Sequence, residues 1–226
     1  AQTDLTIPTM NSCAPNRNPF PIRDPYRQGA HGVSWLLHPF FVPLYMMLVL
    51  LFTRTVFSHY ALGGKIFLVW VVVLFTLVLP ALSLVVLRAL GRLADYRIDR
   101  RRDRYLPLAL GALFYLLCAL TLVKVPSAFL LRKIMVAAAG CEILCLLVTL
   151  RWKISLHLTG MGAVVALFSL LSIAGVGDLM GPLLVAVVGS GLLASSRLYL
   201  GCHNGLQILA GFCGGFLVMT LAILFL

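Results

Sequence analysis

Long apolar runs alternate along this chain with short polar segments that are strongly basic. A helix needs about 20 apolar residues to cross a hydrocarbon layer ~30 Å thick. Seven runs approach that length: 34–53, 66–87, 106–123, 134–150, 155–176, 179–194 and 206–226. The fourth and sixth are short, so the expected number of spans is six or seven. The runs are continuous rather than alternating, so each must satisfy its backbone in lipid as a helix. The predicted fold is therefore all-α, a polytopic transmembrane helix bundle. Pro80 predicts a kink in the second span, because proline removes one helical hydrogen bond. Gly175 and Gly177 break the fifth. Residues 1–32 carry Pro8, Pro15, Pro19, Pro21 and Pro25 and read as an irregular polar leader. One membrane domain, 33–226, follows it, and no cleavable signal peptide is expected.

Composition changes this picture little and charge changes it more. Hydrophobic residues make up 61% and charged residues 11%, which a water-soluble surface could not accommodate. The net charge of +11 lies almost wholly between the apolar runs. It implies attraction to anionic headgroups and phosphate, with no domain to bind nucleic acid. Alternating crossings put 13 of the 18 Lys and Arg on one side, with the leader, the 88–104 segment and the turns at 151–153 and 197–203. The positive-inside rule would make that side cytoplasmic; without Arg97, Arg104 and Arg197 the ratio is still 10 to 5. The six cysteines, Cys13 and Cys202 included, have no metal-like spacing and read as packing residues without a disulfide framework.

Three polar segments share the basic side. The first runs from Arg97 to Pro107, the second holds Lys153, Ser155 and His157, and the third holds Ser196, Arg197, His203 and Gln207. Guanidinium forks neutralise and orient phosphoryl oxygens. One imidazole can attack phosphorus while another protonates the departing oxygen. His31, His38 and His59 lack such neighbours and read as headgroup contacts. Arg100, Arg101 and Arg102 read as headgroup anchors. Glu142 stands in mid-span, where a carboxylate is a functional candidate by default; a neutral or ion-paired structural role is the competing reading.

In these segments the chain resembles the type 2 phosphatidic acid phosphatase family of membrane lipid phosphatases. Arg97 and Arg104 keep the first motif's spacing, with Arg for Lys and Tyr105 for Pro. Ser155 and His157 keep the second, with Ile154 for Pro and Leu156 for Gly. Ser196, Arg197 and His203 keep the third, with Gln207 where the family has Asp. The resemblance implies a phosphatase acting on a lipid-linked phosphate or diphosphate, without metal or other cofactor. His203 would be the nucleophile forming a phosphohistidine, and His157 the acid for the leaving group. Arg97, Arg104 and Arg197 would bind phosphate, with Ser155 and Ser196 nearby, and Gln207 would orient His203. Its substrate and the surrounding lipids are the expected partners, with a homo-oligomer or larger membrane assembly left open.

Two other readings stand beside it. A lipid-phosphate-binding protein or complex subunit without turnover follows if Gln207 cannot replace the missing carboxylate. A membrane prenyltransferase would use Asp95, Asp99 and Asp103, one helical face of carboxylates, to hold magnesium and a diphosphate. That clamp lacks its second half, since only Asp178 follows and on the opposite side.

Overall fold

The computed structural model describes residues 25–92 and 102–226. Asp95, Arg97, Asp99, Arg100 and Arg101 lie outside the described residues, as does the leader up to residue 24. The structure is 82% helical, with eight helices and no strand among the described residues. They are α1 (Pro25–Leu36), α2 (Val42–Phe52), α3 (Leu62–Ala89), α4 (Tyr105–Leu122), α5 (Phe129–Thr149), α6 (Leu156–Ile173), α7 (Met180–Tyr199) and α8 (Gly205–Phe225). The all-α bundle expected from the apolar runs is what the chain forms. Helices α3, α4, α6, α7 and α8 are long and apolar enough to cross a membrane. Helix α5 equals α8 in length at 21 residues, but carries Arg132, Lys133 and Glu142. Trp70, Val85, Val185 and Phe225 are exposed on the outer faces of α3, α7 and α8. Such a surface is stable only against lipid, so this is a multi-pass membrane protein.

The first expected span, 34–53, is corrected. It is two helices separated at residues 37–41, and α2 has only 11 residues. At 1.5 Å per residue α2 covers about 16 Å, half a bilayer core. Pro39 is the cause, since it lacks an N–H and biases His38 away from helical angles. The residues before this break are corrected too. The end of the expected leader is helical, with Pro25 at the first position of α1, where proline is tolerated. Helix α1 packs along α7. The kink expected at Pro80 takes the form of a π-helical turn over Leu74–Val78, just before the proline, in a helix that otherwise continues.

The interior is organised by α6, which is 61% buried along its apolar window against 17% for α3. Its tightest neighbour is α8. A Cβ on Gly215 would stand 1.9 Å from the Thr159 carbonyl oxygen, and one on Gly211 2.7 Å from that of Ser155. From the other side, a Cβ on Gly162 would stand 2.0 Å from the Phe212 carbonyl oxygen. Only glycine permits this approach of two helix backbones, the small-residue packing common in membranes. It fixes the start of α6 against the start of α8, and the Ser155 N–H donates to the Gln207 carbonyl at 3.3 Å.

The cysteines divide. Cys118, Cys141, Cys145 and Cys213 are free thiols. Cys202 is disulfide-bonded. The expectation of packing cysteines only is thus corrected at that position, one residue before His203.

Candidate functional site

The site forms where the polar ends of several elements meet. Arg104 immediately precedes α4, Ser155 and His157 open α6, Arg197 sits in the last turn of α7, and His203 precedes α8. The turn between α7 and α8 depends on Gly201, whose φ of 66° is a conformation other residues rarely adopt. With Gly201 there, the Cys202 N–H donates to the Arg197 carbonyl at 3.2 Å, so Arg197 and His203 lie across one tight reversal.

One backbone atom joins the three segments. The Ile154 carbonyl accepts from Nη1 of Arg104 at 3.4 Å and from Nε2 of His203 at 3.2 Å. A carbonyl only accepts, so Nε2 carries the ring hydrogen and the lone pair belongs to Nδ1. That Nδ1 is buried and makes no hydrogen bond to any described residue. Burial, then the positive charges of Arg197, Lys153 and Arg104, push the His203 pKa down to about 3. The ring is neutral at physiological pH and its lone pair is available.

A third imidazole completes the group. The break at Pro39 turns His38 inward, and its ring meets that of His157 edge-to-face at 5.3 Å. The His38 Nδ1 accepts from the Phe40 N–H at 3.4 Å, which leaves its hydrogen on Nε2. Burial and then Arg197 hold its pKa down to about 4. His157 donates from Nε2 to the Ser34 carbonyl at 3.1 Å. Arg197 lines the same cavity as all three histidines.

His38, Arg104, His157, Arg197 and His203 line one cavity of about 170 Å³, which continues past Pro107 and Leu108 to Gly111, Tyr115 and Glu142. A water occupies about 30 Å³ of liquid volume, so the space suits a phosphate group with a few more atoms. Buried guanidinium groups and neutral N–H donors would hold a tetrahedral anion there, strengthened by the low local dielectric.

The other expected site residues stand apart from the cavity lining. Ser155 is fully buried, and its hydroxyl makes no hydrogen bond to a described residue. The Ser196 hydroxyl donates to the Leu192 carbonyl in its own helix at 2.8 Å. Gln207 has a different task from orienting His203. Its Oε1 accepts from the Asn204 N–H at 3.2 Å while Asn204 Oδ1 accepts from the Gln207 N–H at 2.9 Å. This reciprocal capping box starts α8. The Asn-x-x-Gln spacing ahead of an apolar run was the signal for it. His38 and Tyr115 had no motif to flag them; the histidine–proline pair interrupting the first apolar run was the available cue for His38. Asp103 is the middle residue of a single 3-10 turn, Arg102–Arg104, before α4. Among the described residues no group of three or more His, Cys, Asp or Glu side chains is placed to hold a metal.

The fold and site together define a multi-pass helical membrane protein with a basic, histidine-lined cavity at one end of its bundle. Comparison with protein-family models, with curated proteins and with solved structures finds no match to this chain.

Proposed function

We propose that this protein is an integral membrane phosphatase that removes phosphate from a lipid-linked phosphate or diphosphate. The observation that carries this reading is the convergence of Arg104, His157, Arg197 and His203, from three segments far apart in sequence, on one cavity of headgroup size. In the proposed reaction Arg104 and Arg197 hold the phosphoryl oxygens, with Arg97 added by resemblance. The lone pair on Nδ1 of His203 forms a bond to phosphorus as the bond to the lipid oxygen breaks. His157, which takes up a proton on Nδ1 once the phosphate anion is bound, passes that proton to the departing oxygen. Water then attacks the phosphohistidine, gives a proton back to His157 and releases inorganic phosphate.

Ile154 takes the orienting place that the family gives to Asp. Its carbonyl dipole fixes the ring but brings no negative charge, so the cationic intermediate is less stabilised than beside a carboxylate. That supports a slow enzyme, and it equally supports the second reading, a lipid-phosphate binder that does not turn over. The membrane prenyltransferase remains a weaker third proposal, resting on Asp95, Asp99 and Asp103.

Purified protein should release phosphate from a panel of lipid phosphates and diphosphates without added metal. His203→Ala or Arg197→Ala should lower the rate by at least about 100-fold, the scale of losing a nucleophile or a phosphate clamp. Unchanged rates in both variants would discard the assignment. Phosphate binding with neither release nor labelling of His203 would select the binder, and activity requiring magnesium the prenyltransferase.

A further inference from the structure

The cavity does not end at its cations, and its far end has the opposite character. Gly111 lies seven residues into the membrane from Arg104, about 10 Å of helix. Opposite it on α5, the Glu142 carboxyl carbon stands 3.5 Å from the place a Cβ on Gly111 would take. A Cβ there would be in ordinary van der Waals contact with the carboxyl group, so Gly111 and Glu142 face each other directly across the helix pair. Tyr115, one turn deeper on α4, is buried and lines the same space. Glu142 makes no hydrogen bond or ion pair with any described residue. A carboxyl group at membrane depth is costly to ionise without a partner, and such groups mark places where a ligand or proton completes the site.

We propose that Glu142 and Tyr115 form a second polar subsite, which receives an ammonium group on the ligand whose phosphate lies among Arg104, Arg197 and the histidines. The ligand class is an aminoalkyl phosphate ester, with its anion at the cationic mouth and its cation at the acidic floor. The apolar walls at Pro107 and Leu108 accept the short carbon chain between them. The inference rests on the phosphate reading above and extends it to the other half of the headgroup. A competing role, in which Glu142 only offsets the charge of the arginines, makes a different forecast. Neutralising it would then tighten the binding of every phosphate, with or without an amine.

The test is binding of O-phosphoethanolamine, ethyl phosphate and inorganic phosphate to the purified full chain, followed by calorimetry. Wild-type protein should bind O-phosphoethanolamine about 10-fold or more tightly than ethyl phosphate, the scale of one charge-assisted contact. Glu142→Gln should erase that preference while leaving ethyl phosphate within about two-fold of wild type. Tyr115→Phe should reduce it. Gly111→Val fills the floor from the opposite helix and should also erase the preference, which covers the case of an unfolded Glu142 variant. Equal wild-type binding of the two esters, a preference that survives Glu142→Gln, or tighter binding of both esters in that variant would overturn the proposal. Wild-type protein that binds none of the three probes would overturn the phosphate reading itself, and this proposal with it.

Discussion

Replacing Gly215 by alanine puts one methyl group where the structure has no space. The added Cβ would stand 1.9 Å from the Thr159 carbonyl oxygen and 3.0 Å from the Thr159 Cα. Both are backbone atoms inside α6, so no side chain can swing aside. Ordinary contact begins at 3.4 Å, so α8 must withdraw from α6 by about 1.5 Å. Overpacking of this kind costs about 1–3 kcal/mol, partly offset by about 1 kcal/mol from alanine's better helix propensity. Gly181→Ala is the matched control, because nothing lies within 4 Å of its added Cβ. For a chain of this size each kcal/mol shifts Tm by about 2–4 °C. The control gains the same propensity, so the difference is the overpacking cost alone, and Gly215→Ala should melt about 2–12 °C below Gly181→Ala in the same detergent. The second readout is phosphate release. Withdrawal of α8 strains the 3.2 Å bond from His203 to the Ile154 carbonyl, and a misplacement near 1 Å can cost about 100-fold in rate. Equal melting temperatures with equal rates would refute the idea that this helix contact positions the site.

Three further predictions concern protons and compartment. Because His203 has its pKa pushed to about 3, kcat/KM corrected for substrate ionisation should show no His203 limb near pH 6.5; a limb there that His203 substitution abolishes would contradict the neutral, buried ring. The sign for stability follows: the unfolded chain takes up this proton near pH 6.5 and the folded one only near pH 3, so melting temperature should fall as pH drops through that window. Disulfides persist in oxidising compartments, so the bond at Cys202 predicts a site facing away from the cytoplasm, the opposite of the side expected from the Lys and Arg count. Arg151→Cys, an exposed position in the turn before Lys153, should therefore react with a membrane-impermeant maleimide added outside intact cells. Labelling only after permeabilisation would return the site to the cytoplasm.

The helical membrane fold was legible in the sequence, because lipid leaves the backbone few options and length alone marks a span. Expected spans 106–123, 155–176 and 206–226 became Tyr105–Leu122, Leu156–Ile173 and Gly205–Phe225. The polar turns between apolar runs, together with their resemblance to the lipid phosphatase motifs, singled out Arg104, His157, Arg197 and His203, each beside a helix end that the apolar pattern already marks. What surrounds them was decided in three dimensions. The partner of His203 is the backbone of Ile154, 49 residues away, and a carbonyl carries no residue-type signature. Gln207 looked like a replaced catalytic group and serves a helix cap instead. His38 enters through a break that proline makes in an otherwise apolar run. Glu142 was conspicuous as a mid-span charge, but only the packing of α4 on α5 shows Gly111 opposite it and both on the wall of the site cavity. Hydrophobic periodicity records which solvent each segment meets; which segments meet one another depends on close packing between distant glycines and carbonyls, and that exists only once the bundle has closed.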